Sequence, residues 1–165
     1  VMLVCNVCGA GALELARAHD IPHALIDHTA FDSRAAFDAA VVERLRQVGA
    51  QWVVMAGWMR IVTPTFIAAF PERILNIHPS LLPSFRGMHA VRQALRVGVK
   101  IAGCTVHLVG EDVDDGPIIA QSAVPVLSGD DEDTLHARIQ QSEHALYPMA
   151  IAQAISDARR RTQDH

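Results

Sequence analysis

Short, almost wholly apolar runs recur along this chain, separated by stretches whose apolar residues fall at helical spacing. No other feature restricts the fold as much. A short run with no polar alternation has both faces buried, as strands do in a parallel sheet covered by helices on either side. Residues 1–5, 24–26, 52–56 and 73–77 read as such strands, and residues 103–109 and 118–122 as two more. Helices are expected between them. One begins at Leu13 after a glycine loop at Gly9 to Gly11, and one is capped by Asp32 with Phe37, Val41, Leu45 and Val48 along its apolar stripe. Thr63-Pro64 opens a third with a cap and a first-turn proline, residues 89–97 form a fourth, and a long closing helix runs from Asp133 to about Ile155. The expected class is therefore α/β: a three-layer, Rossmann-like arrangement around a mostly parallel, twisted sheet.

Size and charge limit the function. The chain has 165 residues, half of them hydrophobic, which suffices for one domain with a proper core, and residues 1–165 are read as a single catalytic domain. A formal charge of -4 and the lack of a basic stripe leave no electrostatic footprint for nucleic acid. The cluster Arg159 to Arg161 reads as a solvated helix end. No apolar run approaches a membrane span, and the N-terminus lacks the pattern of a signal peptide, so a soluble cytoplasmic protein is expected. Three cysteines make a disulfide framework implausible. Cys5 and Cys8 have the spacing of half a zinc site or of a redox pair, but no further ligands stand nearby, and buried small hydrophobes are the favoured reading.

The chemistry concentrates between Asn76 and Gly116. This segment opens on N-I-H-P-S-L-L-P and closes on V-D-D-G-P. It sets an amide (Asn76), two imidazoles (His78 and His107) and two carboxylates (Asp114 and Asp115) on strand ends and tight loops. An amide N–H can donate to a developing negative charge, and an imidazole can carry a proton near neutral pH. A carboxylate facing that imidazole favours its charged form. These are the parts for acyl-type transfer without a covalent nucleophile, placed where open α/β sheets bind ligands, at the carboxyl end of a strand. His107 has a plain alternative as a core histidine bonded to backbone, and His89 reads as structural or exposed. The three histidines lack metal-ligand spacing, and no metal is expected. Leu82-Pro83 is expected to be a cis peptide. In the closing helix Glu143 shares a face with Ile139, Leu146 and Ala150, where a carboxylate needs a partner. Either the edge of that stripe is exposed, or His144 or a neighbouring arginine pairs with it, or a ligand amine does.

Four ordered blocks carry a resemblance. They are Asn76-Ile-His78-Pro79-Ser80-Leu-Leu-Pro83; Gly103-Cys-Thr105-Val-His107; Val113-Asp114-Asp115-Gly116-Pro117-Ile-Ile-Ala-Gln121; and Gln141-Ser-Glu143-His144-Ala-Leu-Tyr147-Pro148. With Phe31-Asp-Ser-Arg34, Ala56-Gly-Trp-Met-Arg60-Ile and Arg92-Gln-Ala-Leu95, the chain resembles the folate-dependent formyltransferases over nearly its whole length. Within them it is most similar to the branch that formylates glycinamide ribonucleotide in purine synthesis. The resemblance implies the formyltransferase fold, with 10-formyltetrahydrofolate as co-substrate, glycinamide ribonucleotide as acceptor and no metal. It implies Asn76, His78 and Asp114 as catalytic residues. Asn76 would also bind folate together with Arg34, Met59, Arg60, Ile61 and Val62, and Glu143 would engage the acceptor's amine end. Arg34 reads equally well as an ordinary first-turn helix residue; the plain alternative for Arg60, to which the folate reading is preferred, is an exposed residue on a strand-to-helix connection.

Two departures from the family pattern stand out. The family begins with a strand and a glycine-rich phosphate loop, whereas this chain matches from the second strand on, so one strand and its crossover, ~30 residues, are expected to be missing. Alternatively, Cys8-Gly9-Ala-Gly11-Ala is itself the phosphate loop. In Ser84-Phe85-Arg86-Gly87 an arginine stands where relatives often have proline, either as surface variation or as an extra phosphate contact. Rival activities keep the same catalytic set: formyl transfer to charged tRNA, which calls for an additional C-terminal domain, and hydrolysis of formyltetrahydrofolate, which calls for an N-terminal regulatory one. A non-catalytic folate-binding module is a further alternative. Monomer and homodimer are not distinguished by sequence.

Overall fold

The computed structural model describes residues 1–163, in two compact units: Val1–Val53 with Met59–Pro71, and Val54–Trp58 with the chain from Glu72 on.

In the first unit, β1 (Leu3–Cys5) pairs in parallel with β2 (His23–Leu25), and α1 (Gly11–Ala18) connects them. A single 3-10 turn (His28–Ala30) precedes α2 (Arg34–Gln47). The cap of α2 is Ser33 rather than Asp32. Its hydroxyl accepts from the Ala36 N–H at 3.1 Å, the third-residue donor that an N-cap side chain serves. Phe37, Val41 and Leu45 are buried as the stripe requires, while Val48 is exposed, because the helix has already ended at Gln47. α3 (Pro64–Ala69) starts at its proline as expected, and its missing first-turn N–H costs nothing there. The Thr63 N–H just ahead of it donates to the buried carboxylate of Asp38 at 2.7 Å, which ties α3 to α2.

Val53 aside, the second unit holds a four-stranded sheet in the order β3 (Val53–Met55), β4 (Ile74–His78), β5 (Ile101–Leu108), β6 (Ile118–Pro125), with α4 (Ala90–Val97) and α5 (Glu132–Gln163). The α/β class is as expected. In this sheet β5 runs antiparallel to both β4 and β6. Alternation along β5 decides what lies on each face. Ala102 and Cys104 turn to a core shared with Ile77, Val91, Leu135 and Ile139, while Thr105 and His107 occupy the opposite face. Asp131 and Thr134 cap α5 reciprocally: the Asp131 carboxylate accepts from the Thr134 N–H at 2.8 Å, and the Thr134 hydroxyl accepts from the Asp131 N–H at 2.9 Å. α5 continues past Ile155 and through Pro148. On it Tyr147 is buried, with its hydroxyl 2.7 Å from the Met55 carbonyl and 3.1 Å from that of Leu75, so it ties the helix to β3 and β4. Burial pushes the Tyr147 phenol well above its usual range.

Candidate active site

Strand periodicity and register build the site. Asn76 and His78 are two residues apart on β4 and therefore share a face, as Thr105 and His107 do on β5. The antiparallel register sets Asn76 opposite His107 and His78 opposite Thr105, so four polar side chains form a square on one face of the sheet. The fifth member, Asp114, comes from the β5–β6 connection, where its backbone is left-handed (φ 52°).

This carboxylate joins the two imidazoles. Its Oδ2 lies 3.2 Å from His78 Nδ1 and accepts from the Gly87 N–H at 2.8 Å, and its Oδ1 lies 3.5 Å from His107 Nε2. Burial pushes the Asp114 carboxyl up. Hydrogen bonding from His107 and Gly87, with the charges of His78 and His107, outweighs burial and holds it below its ordinary value. Asp114 is therefore ionised at neutral pH.

The hydrogen-bond partners assign the ring protons. His78 Nε2 faces the Phe85 carbonyl at 2.9 Å, which can only accept, so Nε2 carries a proton and Nδ1 is left facing Asp114. His107 Nδ1 donates likewise to the Leu108 carbonyl at 2.9 Å. His107 Nε2 then has two partners: it accepts from Asn76 Nδ2 at 3.4 Å when neutral, or donates toward Asp114 when protonated. One N–H of Asn76 is thereby oriented by His107, and its second remains to bind an oxygen.

Several positioning groups carry no separate signal in the sequence. The buried Thr105 hydroxyl donates to the Ser80 carbonyl (2.7 Å) and accepts from the Leu82 N–H (3.0 Å) and Gln121 Nε2 (2.9 Å), which pins the turn after β4 to β5. Gln121 also donates to the Leu82 carbonyl at 3.0 Å, and Leu82-Pro83 is cis, as expected. Gly116 is required by close approach, since a Cβ there would lie 1.8 Å from the Leu108 carbonyl oxygen. Phe85 and Gly87 serve the site through backbone atoms, which motif chemistry does not display. Arg86 is ion-paired with Asp115, so its guanidinium is engaged within the protein.

The remaining residues singled out by sequence are placed as follows. Glu143 is half-buried on α5. Burial raises its carboxyl against the opposing pull of His136 and His144, and its charge is felt by the Cys104 thiol on the core side of β5. Among the described residues it forms no hydrogen bond or ion pair with Asn76, His78, His107 or Asp114. In the first unit, Arg34 is the exposed first residue of α2, Met59 and Ile61 are exposed, and Val62 is buried. The Arg60 guanidinium lies 5.1 Å from the Phe37 ring centroid in a cation–π contact rather than free in solvent. Cys8 is exposed and Cys5 half-buried, contrary to the expectation for this pair, because both sit at or just after the end of a three-residue strand; only Cys104 is fully buried. His89 is exposed at the start of α4. Among the described residues no three metal-ligating side chains converge, and no helix is long and apolar enough to cross a membrane.

Residues 1–151 match the formyl transferase family model. The phosphoribosylglycinamide formyltransferase of Bacillus subtilis is 43% identical over 154 residues, 93% of this chain and 79% of that protein. The glycinamide ribonucleotide transformylase 1 of Symbiobacterium toebii superposes with a TM-score of 0.90 at 52% identity, covering 92% of this chain and 71% of the other. The trifunctional purine biosynthetic protein adenosine-3 of Drosophila pseudoobscura pseudoobscura is 43% identical over 99% of this chain, which spans only 12% of that protein's length. In sequence and in fold, the chain belongs to the formyl transferase family.

Proposed function

We propose that this chain transfers the formyl group of 10-formyltetrahydrofolate to the amine of glycinamide ribonucleotide, with residues 1–165 acting as one catalytic domain. The observation that carries the reading is the square on β4 and β5, in which His78 and His107 converge on one ionised carboxylate, Asp114, and His107 in turn meets Asn76. The amine nitrogen attacks the formyl carbon, and the carbonyl electron pair moves onto oxygen. The free N–H of Asn76 donates to that oxyanion, and the nearby imidazolium of His78 stabilises it. Collapse breaks the bond to the folate nitrogen, which takes up a proton as the attacking amine gives one up. His78 is suited to relay that proton. Its Nε2–H is anchored on the Phe85 carbonyl, so exchange takes place at Nδ1, beside the Asp114 carboxylate.

Asn76, Arg34 and the Met59–Val62 segment are assigned to the folate, and Glu143 to the acceptor amine. Burial raises the carboxyl of the half-buried Glu143, and a cationic amine beside it would favour its charged form. No step requires a metal. The reading assigns the protein to the cytoplasm with small-molecule partners.

The test follows deformylation of 10-formyltetrahydrofolate optically, with and without glycinamide ribonucleotide. Folate product that forms only with the acceptor is expected. Release in both conditions would make the protein a hydrolase, and binding without release in either would make it a folate-binding module.

A further inference from the structure

Residues 84–89, which supply the site with two backbone groups, and the β5–β6 connection, which supplies the Asp114 carboxylate, are joined by the ion pair of Arg86 with Asp115. Arg86 stands between two backbone groups that touch the catalytic set. The Phe85 carbonyl before it accepts from His78 Nε2 at 2.9 Å, and the Gly87 N–H after it donates to Asp114 Oδ2 at 2.8 Å. Asp115 directly follows Asp114. We infer that Arg86 and Asp115 are a positioning pair, a latch that holds the Phe85 carbonyl on His78 and the Gly87 N–H on Asp114.

The local backbone explains why a latch is needed. Phe85 (φ 55°), Gly87 (φ 75°) and His89 (φ 61°) all lie in the left-handed region, as does Asp114 (φ 52°) on the other side. Three of these four are not glycine, and L residues adopt that conformation only when their surroundings hold them in it. The ends of the segment are held by the Ser80 hydroxyl on the Ser84 carbonyl (2.5 Å) and by Gln93 Nε2 on the Met88 carbonyl (2.9 Å). Its middle, where both site contacts are made, is joined to the opposite loop through its side chains by Arg86 and Asp115. Their side chains are 43% and 44% exposed, so the latch is weak and adjustable rather than a rigid bolt. The ordering role assigned here does not require a ligand; its kinetic consequence rests on the proposed transfer reaction.

Arg86→Ala, Asp115→Ala, the double variant and the exchanged pair (Arg86→Asp with Asp115→Arg) would be compared in the full chain. Two readouts are used: Gly87 amide hydrogen exchange by NMR, and formyl-transfer kinetics. An exposed pair worth 0.2–1 kcal/mol corresponds to about a 1.4- to 5-fold change. Each single variant is expected to speed Gly87 exchange and to lower kcat by a factor in that range, with KM for the formyl folate unchanged. The double variant should match the singles, and the exchanged pair should regain most of the loss. Unchanged Gly87 exchange in both single variants would overturn the latch, as would single effects that multiply in the double variant or a change carried by KM alone. Should Arg86→Ala fail to fold, Asp115→Ala and Arg86→Gln break the same pair. If the wild type shows no turnover, the proposed reaction fails while Gly87 exchange still decides the latch.

Discussion

Replacing Asp114 with Asn isolates the charge at the centre of the site. The amide is nearly isosteric with the carboxylate. Its oxygen can keep the Gly87 N–H, at 2.8 Å in the wild type, and still face His78, while its NH2 can face His107 Nε2. What disappears is the negative charge that favours the imidazolium. Two estimates bound the loss. Hydrogen bonds to charged groups exceed neutral ones by about 1–1.5 kcal/mol, which sets a floor of about 5- to 10-fold in rate. Unit charges at the 3.2 Å separation of Asp114 and His78 interact by about 5 kcal/mol at an effective dielectric near 20, which sets a ceiling of about 5 × 10³-fold. Single-turnover formyl transfer at pH 7.5 would measure the fall in rate, with urea unfolding as a check that the variant is folded. A folded Asp114→Asn variant whose rate stays within about twofold of wild type, well under that floor, would refute the reasoning.

Asp114 also links stability to pH. Its carboxyl is held below the ordinary value in the folded chain, so its contribution is complete above the unfolded value of ~3.9 and is lost as pH falls through the lower folded value. The stability gap between wild type and Asp114→Asn in urea should close as pH falls below ~4. Thr105→Val should cost about 1–3 kcal/mol in urea unfolding, because the Leu82 N–H and the Gln121 amide lose their shared acceptor; a neutral effect would show that water replaces it. Gly116→Ala should cost about 2–3 kcal/mol by the same measurement, since the new methyl meets the Leu108 carbonyl oxygen at 1.8 Å and the loop must move.

Asn76, His78, His107 and Asp114 were legible in the sequence because their chemistry is carried by side chains, three of them on strands. N-x-H on β4 and T-x-H on β5 put their polar members on one face by alternation alone. Their partnership was not legible. Asn76 meets His107 because of an antiparallel register that depends on the intervening chain, and short apolar runs do not reveal strand direction. Backbone contributors escape for a different reason: the Phe85 carbonyl and Gly87 N–H have no residue-type signature, and only left-handed φ values around them mark the segment as special. The Ser33 cap was missed because Asp32 beside it is an equally good capping residue, and propensity does not separate two such neighbours. Pro148 makes the length of α5 hard to read, since proline usually ends a helix, yet the helix runs through it, with the adjacent Tyr147 buried.

The most direct test of the central claim is formylation of glycinamide ribonucleotide, detected by mass spectrometry, by wild type and by Asn76→Ala under single-turnover conditions. The account predicts a formylated product from wild type and a rate at least ~100-fold lower from the folded variant, since the N–H that receives the developing oxyanion is gone. Equal rates from the two proteins would contradict it.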